Sequence, residues 1–180
     1  KVTIKEGRSG ALVFVEIDHQ VSGSDGVAVT DLQTVVYRGE APLQTDAPAS
    51  KAQSKPLPDG ALWSETVTPD TVLLFRYSAL TFIGHRIHYD RDYAMDVEGY
   101  GGLVVHGPLL ATLMVGLAGR SRPERPISGF EFRGHRPVFD TEAFTVCGRP
   151  ATEAEGDSAI DVWIANGEGM LAMKGRTTFG

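Results

Sequence analysis

FRYSALTFIGHRIHYDRDYAMDVEGYGGLVVHGPLLATLMVGLA, residues 75–118, holds three of the five histidines and the longest apolar run, which starts directly after His106-Gly107-Pro108. Leu109, Leu110, Leu113, Met114 and Leu117 recur at helical spacing, with Ala111, Val115 and Ala118 on the remaining faces. The pattern predicts a helix over Gly107–Gly119, with Pro108 suited to its first turn. A helix apolar all round must be wrapped. At thirteen residues it is too short to cross a bilayer, so the wrapping has to be protein, and the segments that follow can supply a sheet.

Working outward, Thr68-Pro69-Asp70 reads as a helix start, with Thr68 as hydroxyl cap and Pro69 at the first position. That helix is expected to run to Thr81, bury a broad face of Val72, Leu73, Leu74, Phe75, Ala79 and Leu80, and end at Gly84. A loop then carries His85, Arg86, His88 and Asp90 into a short turn at Asp92–Met95, and Gly99, Gly101 and Gly102 interrupt regular structure before the central helix. Strands are expected at Leu62–Val67, Ile127–Arg133, Thr141–Gly148, Ala159–Ala165 and Met170–Thr178, with turns at Pro137, Glu155-Gly156-Asp157 and Asn166-Gly167. The fold class is therefore α+β, an antiparallel sheet around a long helix.

At the other end, Gly10–Val21 alternates and Val27–Tyr37 is rich in β-branched residues, with Ser-Gly-Ser-Asp-Gly between them. This predicts a long hairpin, preceded by a short strand at Val2–Lys5. Strands without a helix bury little, so residues 1–40 are expected to be the closing strands of an incomplete first domain. Residues 41–60, with Pro42, Pro48, Pro56 and Pro58, read as a linker, and residues 61–180 as a second, complete domain. A strand, a turn, a long hairpin and a basic residue close both 2–38 and 130–176, which suggests a tandem of two similar domains.

Composition narrows the chemistry. The 180 residues are 42% hydrophobic and 22% charged, an ordinary globular balance. A net charge of -6 offers no nucleic-acid footprint, and no charge block suggests a membrane surface. One cysteine, Cys147, excludes an internal disulfide framework, and with no apolar leader it points to a cytoplasmic setting. His85, His88, Asp90 and Asp92 match no closed metal-site spacing, and Gly99-Tyr100-Gly101-Gly102 lacks the lysine and serine of a nucleotide loop. No metal or redox cofactor is expected.

Gly84-His85-Arg86-Ile87-His88-Tyr89-Asp90, followed by Gly102-Leu103-Val104-Val105-His106-Gly107-Pro108-Leu109, resembles the MaoC-like hydratases. The likeness is greatest to their double-hotdog branch acting on mesaconyl-type and 3-methylfumaryl-type CoA thioesters. It implies the hotdog fold, complete over residues 62–179 and represented by its tail in 1–38, and pairing of hotdogs into a homodimer or higher oligomer. It also implies reversible addition of water to a short-chain, branched or dicarboxylic enoyl-CoA, so an acyl-CoA is the expected small-molecule partner. Hotdogs host thioesterases too, so the fold does not choose the reaction.

Enoyl-thioester hydration needs a base for water, an acid for the α-carbon and donors for the thioester oxygen. His88 has the near-neutral pKa for proton transfer and falls on the histidine of the family motif. Gly107, at a helix start beside a proline that has no N–H, is the better oxyanion donor. In typical members an aspartate stands five residues before the histidine, whereas this chain has Ile83. Either His85 partners His88, or the domain is a degenerate hotdog that binds an acyl thioester or stabilises a partner. Arg86, His106, Tyr77 and Gly102 are the candidate substrate contacts. Three have a bland alternative: for Arg86 a salt bridge with Asp90 or Asp92, for His106 orientation of its loop, for Tyr77 packing. Arg120, Arg122 and Arg125 either meet CoA phosphates or form a solvated loop.

Overall fold

The computed structural model describes residues 1–7, 10–38, 56–151 and 158–180, and the chain divides into two compact units, Lys1–Ser50 and Lys51–Gly180. Most of the expected linker, 41–55, and the turn at Glu155-Gly156-Asp157 lie outside the described residues.

In the first unit β1 (Val2–Gly7), β2 (Gly10–Gly23) and β3 (Gly26–Arg38) form an antiparallel sheet in the order β1-β2-β3. The strand length follows from the alternation of β-branched residues. Gly26 closes the hairpin at φ 109°, a conformation glycine adopts without strain. The register aligns Val2, Val15 and Val35, then Ile4, Val13 and Tyr37, so one face of the sheet is a run of apolar side chains.

The second unit begins with β4 (Trp63–Val67) and α1 (Thr71–Thr81), then a 3₁₀ turn at Arg86–His88, a π turn at Tyr93–Val97 and α2 (Gly107–Ser121). β5 (Ile127–Gly134), β6 (Phe144–Pro150), β7 (Ala159–Ala165) and β8 (Leu171–Phe179) complete it. The sheet is antiparallel, in the order β4-β6-β7-β8-β5. α2 lies on one face of it: Leu109, Leu110, Met114, Leu117 and Ala118 join Phe144, Val146, Ile160, Val162, Ile164 and Met173 in one core. Each large apolar side chain buried there contributes roughly 1.5–3 kcal/mol. Gly148 stands where an added Cβ would come within 3.5 Å of Leu117 and Val162, which lets helix and sheet approach closely. Among the described residues no helix is long and apolar enough to cross a membrane.

Three local expectations are corrected. α1 is capped by Asp70, whose Oδ1 accepts from the Leu73 N–H at 2.7 Å, so Pro69 stands before the cap and Thr68 outside the helix. A carboxylate there offsets orphan N–H groups and the positive end of the dipole together. The helix ends at Phe82, in the left-handed region at φ 57°, with the Ile83 N–H returned to the Ser78 carbonyl, two residues before Gly84. Its buried face is also narrow. Leu74 and Ser78 are buried, whereas Val72, Phe75 and Leu80 are exposed by 57%, 62% and 80%. One helical stripe, Leu73, Leu74, Tyr77 and Ser78, meets the rest of the unit, and the other apolar side chains point elsewhere.

Candidate active site

The three histidines of the opening stretch converge. Ile87 and His88 are buried in the 3₁₀ turn, and the Val104 N–H donates to the Ile87 carbonyl at 2.9 Å, tying the turn to the segment before α2. His88 Nδ1 lies 2.7 Å from the Val104 carbonyl oxygen. A carbonyl only accepts, so Nδ1 carries the proton and Nε2 keeps its lone pair. That Nε2 has no hydrogen-bond partner among the described residues, yet it is not among their sealed polar atoms. Burial lowers the His88 pKa below the ordinary histidine value; the Val104 carbonyl opposes this and the nearby His85 adds to it. The ring is thus a neutral base at neutral pH.

His106, the residue before α2, has no exposed surface. Its ring stacks on His88 with centroids 3.8 Å apart, its Nε2 lies 2.8 Å from Ser78 Oγ, and Tyr77 leans on it at 4.9 Å. Its Nδ1 is buried without a partner among the described residues. Burial, then the charge of a protonated His88, takes its pKa down to about 4. His106 is therefore neutral at neutral pH.

Gly107 follows directly as the first residue of α2, where the first intrahelical donor is Leu110, bonded back to the His106 carbonyl. The Gly107 N–H precedes that ladder and Pro108 has none, so an acceptor at this end meets Gly107 first. His85 is exposed, with its ring edge-on to His88 at 5.8 Å. The fold thus gathers His88, His85, His106, Gly107 and Tyr77 in one place.

Arg86 and Gly102 are otherwise engaged. Arg86 donates to Asp90 Oδ2 through Nε at 3.0 Å and Nη2 at 2.7 Å, and lies over the Tyr93 ring. The salt-bridge alternative is the one present. Gly102 is buried, and a Cβ there would come within 2.8 Å of Thr141 and 3.0 Å of Asp140, so its lack of a side chain serves packing. Arg120 pairs with Glu65, Arg122 lies over Trp63 and Arg125 donates to the Gly180 carbonyl. Among the described residues no three histidine, cysteine or acidic side chains gather as a metal site. Ser78 was not among the candidates: a lone serine inside a helix carries no signal until a residue 28 positions away meets it.

Comparison with known proteins identifies the family. Residues 2–140 match the family described as hydroxyacyl-thioester dehydratase type 2. A protein of Chloroflexus aurantiacus named mesaconyl-C(4)-CoA hydratase is 43% identical over 180 residues, 99% of this chain and 60% of its own length. A mitochondrial hydroxyacyl-thioester dehydratase type 2 of Schizosaccharomyces pombe is 38% identical over 97 residues, 53% of this chain and 31% of its own. The chain therefore spans less than two thirds of the length of either relative. Among solved structures, HtdX of Mycobacterium tuberculosis superposes with a TM-score of 0.69 at 20% identity, over 99% of this chain and 67% of that one. An (R)-hydratase from A. caviae superposes at 0.58 and 22% identity, over 65% and 91%. At such identities these two establish the fold alone, the hotdog expected from the sequence.

Proposed function

Because this chain belongs to the hydroxyacyl-thioester dehydratase type 2 family of MaoC-like hotdog proteins, we propose that it hydrates an enoyl-CoA reversibly at the site formed by His88, His85 and Gly107. The observation that carries this reading is His88 itself, a buried neutral imidazole with Nδ1–H spent on Val104 and Nε2 left as base. Nε2 takes a proton from water as the water oxygen bonds to the β-carbon. The electron pair of the double bond moves toward the thioester oxygen, where the Gly107 N–H and the positive end of α2 stabilise it. The proton taken by His88 passes to His85, the second proton-transfer group, which delivers it to the α-carbon, so both rings end as they began. The product is the 3-hydroxyacyl thioester, with the C–S bond intact. Residues 61–180 would be one complete hotdog and residues 1–40 the closing strands of another, so the working molecule pairs hotdogs.

For the acyl group we propose a branched or dicarboxylic short chain of the mesaconyl or 3-methylfumaryl type, on the strength of the motifs and of the 43% identical relative. Arg86 is the residue to meet the free carboxylate, exchanging Asp90 for it, since Arg binds carboxylates by the same fork. Incubation of the intact protein with such a thioester, followed by product analysis, tests the reading. Loss of the conjugated double bond without thiol release supports it, and free CoA would mean a thioesterase.

Ile83 favours a second reading. Where the family's usual aspartate is an isoleucine, the domain would be a degenerate hotdog that binds an acyl thioester or supports a catalytic partner. Binding without turnover, and turnover gained by Ile83→Asp, would establish it.

A further inference from the structure

We propose that Ser78 and His106 form a buried positioning pair that fixes the ring of His88 through stacking, with neither residue touching substrate. The inference rests on the hydratase reading for its catalytic meaning and on geometry for its existence. His106 has no exposed surface, so whatever it contributes it contributes through its neighbours. One neighbour is Ser78, whose hydroxyl is 2.8 Å from Nε2 and holds the imidazole plane; the other is His88, whose face lies 3.8 Å from it at 16°. His88 is thereby held on two sides, edge by the Val104 carbonyl and face by His106.

The pair is expensive to keep. Both polar side chains are buried where α1 meets the residue before α2, and His106 Nδ1 has no partner among the described residues, at a cost of about 1–3 kcal/mol. Phenylalanine at 106 would avoid that cost. What it would lack is the hydrogen bond that fixes the ring's rotation against α1. The titratable groups facing His88 are His106, Tyr77 behind it, and His85 at the exposed edge; Arg86 and Asp90 on the same turn neutralise each other at 2.7 Å. The low pKa of His106 keeps this wall uncharged, and burial keeps His88 a neutral base.

The test uses Ser78→Ala and Ser78→Thr in the full chain, with ¹⁵N NMR of the histidine rings, thermal melting, and kcat and KM on an enoyl-CoA. Ser78→Ala is expected to move the His88 titration up toward the free-histidine value, mix its tautomers, and lower kcat about tenfold with KM within about twofold. Ser78→Thr, which keeps the hydroxyl, restores all three. If Ser78→Ala does not fold, Ser78→Cys keeps the volume, weakens the hydrogen bond and reads the same shift. An unchanged His88 titration and tautomer in a folded variant overturns the proposal. Because the NMR readout needs no substrate, a protein that never hydrates a thioester but shows the shift keeps the pair and loses the hydratase reading.

Discussion

The imidazole of His106 lies flat on that of His88, 3.8 Å between centroids and 16° between planes, with both residues buried. Two charges at such a distance would repel by about 4 kcal/mol at an effective dielectric of 20. The stack therefore carries at most one positive charge near neutrality, and burial pushes both rings toward none.

Stability should fall with acidity in a defined window. Both pKa values are lower folded than unfolded, so the unfolded chain binds more protons below its own value of about 6.5. The contribution is complete above about 6.5 and is lost as pH falls toward about 4 for His106, up to about 3 kcal/mol from that residue. Urea denaturation across pH 4–7 checks this: His106→Gln, which cannot titrate, should flatten the slope.

Gly102→Ala should destabilise without changing the chemistry. The added methyl meets Thr141 at 2.8 Å and Asp140 at 3.0 Å, and Asp140 also holds the Leu103 N–H. A loss of about 1–3 kcal/mol is expected, with KM of the folded fraction unchanged. A raised KM at unchanged melting temperature would instead return Gly102 to the substrate.

Phe82→Gly should stabilise the chain. A bulky residue at φ 57° carries strain that glycine does not, and with the side chain 94% exposed little packing is lost. A rise of about 1 kcal/mol in thermal or urea unfolding is expected. A fall would mean that the ring has a partner in the assembled protein.

Arg86→Gln should separate substrates. The pair with Asp90 is solvent-exposed, so stability should hardly change. KM should rise for a thioester bearing a free carboxylate and stay constant for crotonyl-CoA; equal changes for both would remove Arg86 from specificity.

Where one periodicity and one chemistry coincide, the chain was legible. The run after His106 specified α2 within two residues at its end, and alternating β-branched residues placed most of the strands. α1 was harder, because six apolar residues in eleven fit several faces, and only the packing selects Leu74 and Ser78. Strand β6 starts at Phe144, three residues late, because residues 140–141 form a turn and 142 a bend, with Asp140 bonded to Leu103 and Arg91. In the candidate site, the histidines and Gly107 could be named as candidates from type and position, while Ser78 and the stacking of His106 depend on contacts between residues 28 and 18 positions apart, which no local pattern encodes.

The most direct measurement follows the ultraviolet absorbance of a mesaconyl-type enoyl-CoA with the intact protein and its His88→Ala variant. Loss of the enoyl band is expected with wild type, and a rate lower by about 10³ in the variant, at similar melting temperature. A His88→Ala protein that hydrates at the wild-type rate would contradict His88 as the base.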